Sequence, residues 1–218
     1  MDVQNAIILH AALEKCKGIE TMDKERFQKQ LDFILEADKE KNILRHNHIS
    51  GHGRRENDAE HAWHMAIMIY LLKEYANKEI DLAKTMMMAL IHDVVEIDAG
   101  DTFAFDTEGL KTQQEREEKA ADRIFGLLPE DQRAELRGLF EEFEACETPE
   151  ARFARTIDNF QPLILIESND GEDWDGLSIP KSQALKRHRR NRLGSEVIGE
   201  YVEKIIDKNV ERGYIVED

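Results

Sequence analysis

The segment LAKTMMMALIHDVVEIDAGD, residues 82–101, combines an apolar helix pattern with a cluster of ionisable residues. Its first half is apolar at helical spacing, so it predicts a helix that is buried against the rest of the chain. Its second half places His92, Asp93 and Glu96 within one turn of each other, where side chains three and four residues apart are neighbours. A buried helix would therefore deliver several ionisable groups to one place.

Gly100 is a natural helix end, and it leaves Asp101 on the following loop, close to the same place. Buried groups of this kind need partners, because an unpaired buried charge costs free energy. A metal ion is one such partner. Helix caps, ion pairs and hydrogen-bonded core histidines are others, and an adjacent His-Asp pair does not by itself choose among them.

Outside this stretch, apolar residues recur at spacings of three and four almost throughout, which indicates an all-α fold. No linker-like segment divides the chain, so we expect one domain over residues 1–218, with the core motifs in 45–170 and the C-terminal helices of 180–212 packed on them. The predicted helices span residues 2–16, 24–44, 58–76, 79–97, 111–127, 130–145, 149–169, 180–192 and 194–212.

The composition narrows the range of functions. The 218 residues are 41% hydrophobic and 35% charged, and the formal net charge is -16. Such an acidic chain repels phosphates overall, which argues against nucleic acid polymers and anionic membranes as partners. No run of eighteen apolar residues is present, so we expect a cytoplasmic protein. The only cysteines, Cys16 and Cys146, are expected to be reduced thiols.

Two other segments carry candidate ligands. In RRENDAEHAWHMAIMIYLL, residues 54–72, His61 follows a helix start that we expect Asp58 to cap, and it lies near the apolar side. Asp158 interrupts an apolar helical face, and Pro162 is expected to bend that helix because it removes a backbone hydrogen bond. From its surroundings alone, Asp158 is either a ligand or the partner of an ion pair, for example with Arg155.

These segments together resemble the HD-domain metal-dependent phosphohydrolases, in which H…HD…D occurs on successive helices. The blocks ENxxEH at 56–61 and HDxxExxxGD at 92–101, followed by IDNFQPL at 157–163, resemble the branch that contains bacterial 5'-deoxynucleotidases and their eukaryotic relatives. The resemblance covers roughly residues 25–170. It implies a helical bundle with a metal-dependent hydrolytic site.

The resemblance implies that His61, His92, Asp93 and Asp158 are the metal ligands. Two imidazoles and two carboxylates suit Mn, Co, Fe, Ni, Zn or Mg, and this ligand set does not choose among them. The absence of cysteine ligands makes a closed structural zinc site a poor match.

The resemblance also implies roles for other residues. Glu96 matches the acid that orients or deprotonates the attacking water, and Asp101 matches a residue that relays a proton to the leaving group or holds the sugar. Arg45 is the best match to the arginine that holds the phosphate. In the deoxynucleotidase a tryptophan follows that arginine, whereas this chain has His46, which puts strict selectivity for 2'-deoxy sugars in doubt.

Arg54 and Arg55, in the loop before His61, are further candidates for binding the phosphate, although loop arginines are more often solvated. The basic run KRHRR at residues 186–190 is interpreted as a solvated helix face paired with local acids. Trp174 is a candidate to cover a pocket.

The sequence thus predicts a hydrolase that removes phosphate from a small phosphomonoester, most simply a nucleoside 5'-monophosphate. An HD-type phosphodiesterase or di-iron oxygenase is the second hypothesis, for which His46, His48, His52 and His64 are the nearby extra histidines. A non-catalytic nucleotide or metal sensor is the third hypothesis. Related proteins are often homodimers, and the segment of Phe103 and Phe105 or the C-terminal helix is a candidate interface.

Overall fold

A computed structural model of the chain describes residues 23–103, 106 and 108–218. Within them the α-helices, labelled α1 to α10, span residues 23–37, Asp58–Leu72, Leu82–Ile91, Glu96–Ala99, Gln113–Phe125, Glu130–Ala145, Pro149–Ser168, Lys181–His188, Asn191–Gly194 and Glu196–Glu211. Short 3-10 helices span Asp38–Asn42, Lys73–Tyr75, Gly109–Lys111 and Glu172–Trp174. The all-α prediction is confirmed, while the predicted helix over 2–16 lies outside the described residues.

Two short strand pairs accompany the helices. Strands β1 (Leu44–His48) and β2 (Arg55–Asn57) pair in antiparallel fashion, and β3 (Ile179–Pro180) and β4 (Ile215–Val216) pair in parallel. The sequence did not predict either pair.

The predicted helix over 24–44 was too long at its C-terminal end. The helical backbone stops at Asn42, and Ile43 is already extended, with φ -88° and ψ 118°. Gly51 and His52 then adopt positive φ values of 78° and 56°, which reverse the chain. This reversal allows Ile49 N–H to donate to the Arg54 carbonyl at 3.0 Å, and it brings β1 against β2.

The predicted helix over 79–97 is interrupted where the HD motif begins. α3 ends at Ile91, and α4 starts only at Glu96. Between them, Nδ1 of His92 hydrogen-bonds to the Ala89 carbonyl at 2.9 Å, and the backbone makes i to i+3 bonds such as Val94 N–H to the Ile91 carbonyl at 3.3 Å. The chain therefore turns tightly at the two residues that carry the chemistry.

The start of α2 differs in detail from the prediction. Asn57, rather than Asp58, caps the helix: its side chain accepts from the Glu60 N–H, and the Glu60 carboxylate accepts from the Asn57 N–H. Asp58 is instead fully buried. At α7, Thr148 caps the helix, Pro149 opens it, and the helix continues through Pro162 without a break.

The buried apolar side chains form two clusters. The larger one joins α2, α3, α7 and α10, with Ile69, Met88, Ile157 and Ile206 fully buried within it. The smaller one joins the segment between α3 and α4 to α5 and α6. Ile91 and Val94, which flank His92 and Asp93 in the chain, belong to the smaller cluster, and the His92 ring packs on Phe143 of the larger one with centroids 4.8 Å apart. The HD motif therefore contacts both cores. None of the described helices is long and apolar enough to cross a membrane.

Candidate metal centre and active site

Three helices bring the sequence-predicted ligands together. His61 lies on the first turns of α2, His92 and Asp93 follow the end of α3, and Asp158 is in the middle of α7. Asp158 Oδ1 lies 3.3 Å from His61 Nε2 and 3.7 Å from His92 Nε2. Asp93 Oδ2 lies 3.9 Å from His61 Nε2.

These distances fit a common ion. Side-chain ligands bound at about 2.1 Å to one divalent cation lie roughly 3 to 3.5 Å apart, so only small movements would be needed. The ligand atoms of His61, His92 and Asp158 all lie within 4.8 Å of one another. His92 Nε2 is also buried without a hydrogen-bond partner, although it lies 3.1 Å from Asp93 Oδ1. A lone imidazole nitrogen aimed at two carboxylates is a suitable metal ligand, and we conclude that these residues fit a divalent cation.

The far nitrogen of each histidine is held by a defined partner. His61 Nδ1 lies 2.8 Å from Gln161 Oε1, and His92 Nδ1 lies 2.9 Å from the Ala89 carbonyl. Since both partners are acceptors, each Nδ1 carries a proton, and Nε2 is the nitrogen of each ring that would bind the ion.

Gln161 extends this support into a buried network that the sequence did not reveal. Its Nε2 donates to Glu56 Oε1 at 2.6 Å and lies 3.0 Å from His64 Nδ1. Glu56 in turn accepts from Asn47 Nδ2 at 2.8 Å. The glutamate of the ENxxEH block therefore orients the amide that orients His61.

Arg45 enters the same site from β1. Its Nη1 donates to Asp93 Oδ2 at 2.8 Å and to Asp58 Oδ1 at 3.2 Å, and only 14% of its side chain is exposed. Burial opposes the charge of Arg45, but Asp93 and Asp58 outweigh it and raise its pKa. In this structure Arg45 thus neutralises a ligand carboxylate and the buried Asp58.

The charged residues of the candidate centre shift one another's pKa values. Burial disfavours protonation of His92, but the charges of Asp93 and Asp158 outweigh it and raise its pKa to about 10. Burial would raise the pKa of Asp93, but His92 and Arg45 hold it below its usual value. In the metal-free site, the charged His92 therefore balances Asp93 and Asp158, and a bound cation would take the place of its proton, because histidine binds metal in its neutral form.

Other acids around the ligands have raised pKa values. Burial is the largest cause, and the charge of Asp93 adds to it: the pKa rises to about 8 for Glu40, to about 7 for Asp58 and to about 11 for Glu96. The pKa of Asp101 is raised as well. Such crowded carboxylates repel one another, so a bound cation would relieve an excess of negative charge.

The two predicted catalytic acids lie beside the ligands in different environments. Glu96 opens α4, is only 7% exposed, and has one carboxylate oxygen without a hydrogen-bond partner. Gly100, with φ 77°, ends α4, and Asp101 then lines the cavity described next. The predicted break at Gly100 is confirmed.

A cavity of about 730 Å³, including its open mouth, adjoins the ligands. Arg45, Asp101 and Asp158 line it together with Trp174, which is buried as a pocket-covering residue would be. His46 also lines the cavity and packs on Phe103, with ring centroids 4.1 Å apart.

Arg187 and His188 of α8 also line this cavity, and the sequence analysis had assigned them to a solvated face. The signal that could have found them is the basic run itself, which is unusual in a chain of net charge -16. Arg54 and Arg55 do not line the cavity. Arg54 pairs with Glu60 at 2.8 Å, and Arg55 is exposed on β2.

A di-iron oxygenase or phosphodiesterase would need extra histidines as metal ligands, but three of the four candidates bond to other side chains. His48 Nδ1 bonds to Asp173, and His52 Nδ1 bonds to Glu172 at 2.9 Å. His64 bonds to Gln161. These contacts give no support to a second, histidine-bound iron.

Two curated proteins are similar in sequence to this chain. A curated human relative, 5'-deoxynucleotidase HDDC2, is 32% identical over 122 residues, which is 56% of this chain and 57% of the relative. The Schizosaccharomyces pombe 5'-deoxynucleotidase hdd1 is 31% identical over 113 residues, covering 50% and 55% of the two chains. The chain thus spans little more than half the length of these curated relatives.

Solved structures extend the comparison to most of the chain. A crystal structure of a predicted metal-dependent phosphohydrolase from Magnetospirillum magnetotacticum MS-1 has a TM-score of 0.83 at 44% identity, covering 88% of this chain and 97% of that one. A conserved hypothetical protein from Pyrococcus furiosus has a TM-score of 0.58 at 27% identity, covering 84% and 99%. The sequence model of the HD domain matches residues 37–197, and because that match spans well over half of the chain, the protein belongs to the HD domain family.

Proposed function

We propose that this protein is a metal-dependent hydrolase that removes phosphate from a small phosphomonoester, and that its substrate is a nucleoside 5'-monophosphate. The observation that carries the proposal is the group formed by the buried His61 and His92 with the half-buried Asp158, which also lines the adjoining cavity together with Arg45 and Asp101. The names of the curated relatives, both 5'-deoxynucleotidases, support the same class of substrate.

The proposed cofactor is one divalent cation held by His61, His92, Asp93 and Asp158. A cation of this kind makes water a nucleophile at neutral pH and polarises a phosphoryl oxygen. Mn, Co, Fe, Ni, Zn and Mg all remain candidates, because two imidazoles and two carboxylates form a ligand set of intermediate softness.

In the proposed reaction, water attacks phosphorus and the bond to the ester oxygen breaks. Glu96 takes the proton of the attacking water: the charge of Asp93 acts on its carboxyl group, and a bound cation would offset the negative charge that raises its pKa, so that it could accept a proton. Asp101 lines the cavity, where it holds the sugar or returns a proton to the leaving alkoxide. A binding protein without catalysis would not need both acids there, so we favour an enzyme over a sensor.

The remaining expectations stay proposals. They are a single domain over residues 1–218, a cytoplasmic location, a homodimer, and a contribution of Arg54 and Arg55 to phosphate binding. Within the candidate dimer interface, Phe105 lies outside the described residues. The solution mass of the purified protein would test the homodimer.

The direct test is phosphate release from a panel of nucleoside 5'-monophosphates with each of the six metals in turn. Release of phosphate with at least one metal is expected, and none with any of them would overturn the proposal. Glu96→Gln should keep metal binding but lose at least about 100-fold in kcat, as expected for the loss of a general base. Asp98→Asn is the matched control, because Asp98 lies on the same short helix but pairs with Arg123 at 2.8 Å.

A further inference from the structure

Helix α8 places a positively charged side chain, that of Arg187, in the lining of the candidate active-site cavity. Arg187 lines the same cavity as Asp158 and Asp101, together with its neighbour His188. Arg187 is exposed to solvent, as are the other two arginines of the run, Arg189 and Arg190, but those two do not line the cavity. The members of the basic run therefore differ in position, because only Arg187 and His188 face the site.

Arg187 differs from the other arginines at the site in having no partner. Arg45 bonds to Asp93 and Asp58, and Arg155 bonds to Glu144 at 2.6 Å and to Asp158 at 3.4 Å. Among the residues that the structure describes, no carboxylate lies within 4.0 Å of the Arg187 guanidinium, and the side chain makes no hydrogen bond. Within the described residues, the exposed Arg189 and Arg190 have no such partner either, so Arg187 is distinguished by lining the cavity with its guanidinium unpaired.

The charges around the cavity explain why such a cation would be useful. The carboxylates of Asp101 and Asp158 line it, and the charge of Arg45 is already balanced by Asp93 and Asp58. His188 adds no positive charge, because burial and the charge of Arg187 lower its pKa to about 3. A dianionic phosphate entering this cavity therefore meets one cationic side chain without a partner.

We propose that Arg187 binds the phosphate oxygens of the substrate, while Arg45 holds Asp93 and Asp58 in place. This inference rests on the proposed function, since it concerns how the phosphomonoester is bound. The planar guanidinium donates two parallel hydrogen bonds to a phosphate, and a lysine at the same position would offer a point charge without that fork.

The test compares Arg187→Ala and Arg187→Lys with Arg189→Ala and Arg190→Ala. With the hydrolysed nucleotide, Arg187→Ala should raise KM about 10- to 100-fold with a smaller change in kcat, because a charge-assisted hydrogen bond is lost from the bound substrate. Arg187→Lys should recover part of that loss. The two control variants should keep KM within about 2-fold, because surface charges away from a site contribute little.

Calorimetric titration gives a readout that does not depend on turnover. Inorganic phosphate should bind the wild type and bind Arg187→Ala about 10- to 100-fold more weakly, whereas the affinity for the unphosphorylated nucleoside should not change. Arg187→Ala with unchanged KM and phosphate affinity would overturn the inference. An equal loss of nucleoside affinity would also overturn it, since the role would then be packing.

Failure of the inference and failure of the proposed function can be told apart. If the wild type releases no phosphate from any nucleotide, the proposed function fails, and the phosphate titration still decides whether Arg187 is an anion site. If the wild type turns over and Arg187→Ala behaves like the two control variants, only the role of Arg187 is wrong. Thermal unfolding of each variant checks that the fold is kept.

Discussion

Gln161 shows how a neutral side chain can orient a histidine of the candidate metal centre. It lies one turn after Asp158 on α7, and its amide has fixed polarity: the oxygen faces His61 Nδ1, and the nitrogen faces Glu56 and His64. Because Glu56 is itself held by Asn47, the amide cannot flip without losing a buried hydrogen bond. The tautomer of His61 is therefore set by the chain before any ion binds.

Replacement of Gln161 by Ala should weaken metal binding about 10- to 100-fold, as is typical for partners that orient a metal-bound histidine. Competition with a fluorescent chelator would measure the affinity. His64→Ala is the matched control, because it removes another partner of Gln161 and leaves the bond between Gln161 and His61 intact. Equal losses in both variants would show that the network acts through general packing and not through His61.

Glu40 provides a prediction for pH dependence in the metal-free protein. It is 7% exposed, one of its oxygens has no hydrogen-bond partner, and burial together with the charge of Asp93 raises its pKa from 4.5 to about 8. The folded state therefore keeps a proton that the unfolded chain loses above pH 4.5. The stability associated with this proton is present below pH 4.5 and is lost as pH rises through about 8.

Glu40→Gln should accordingly stabilise the metal-free protein by roughly 2 to 4 kcal/mol at pH 8.5 and leave it unchanged near pH 4. Urea unfolding at several pH values, with a chelator present, would measure the difference. Glu36→Gln should act in the opposite direction, because Lys39 and Arg123 lower the pKa of Glu36 despite its burial. A pH-independent effect of Glu40→Gln would contradict the assigned proton.

At the scale of whole elements, the start of α2 determines where His61 lies. Asn57 and Glu60 form a capping box, and His61 follows directly. Asn57→Ala should reduce the free energy of unfolding by about 1 kcal/mol, because the Glu60 N–H loses its acceptor. Asn57→Ser, which keeps a capping oxygen, should retain most of the stability, and denaturant unfolding would compare the two. If Ser were as destabilising as Ala, the cap would not be the cause.

The elements also show which parts of the fold can be predicted from the sequence. α6 and α7 match their predicted bounds to within one residue, because Thr148 and Pro149 mark a helix start through local chemistry. The break after Ile91 could not be predicted in this way, since the local residues favour a continuing helix. At the break, the His92 ring bonds to the Ala89 carbonyl and the backbone makes i to i+3 bonds, and neither feature has a signal in the pattern of apolar residues.

The candidate site likewise contains residues that the sequence predicted and residues that it did not. The motif identified His61, His92 and Asp158, and the structure brings all three together. The partners Gln161 and Arg187 were not predicted as site residues, because their roles depend on how α7 packs on α2 and how α8 closes the cavity. Spacing along one helix carries no information on such contacts between helices.

At the scale of the molecule, the candidate metal centre links parts of the chain that are distant in sequence. Its ligands come from α2, the end of α3 and the middle of α7, all of which also share the larger apolar core. A ligand that binds the folded state and not the unfolded chain stabilises the fold through mass action. The effect should be strong here, because the metal-free site crowds several buried acids around one arginine.

Addition of a binding divalent cation at 100 times its Kd should therefore raise the free energy of unfolding by about 2.7 kcal/mol. For a chain of this length that corresponds to roughly 5 to 10 °C in Tm, which a chelator should reverse. Differential scanning calorimetry would measure both changes. His61→Ala is the control, because exposed acids on a chain of net charge -16 also attract cations but do not depend on His61. An equal rise in Tm for His61→Ala would show that the stabilisation comes from the acidic surface and not from the ligands on α2, α3 and α7.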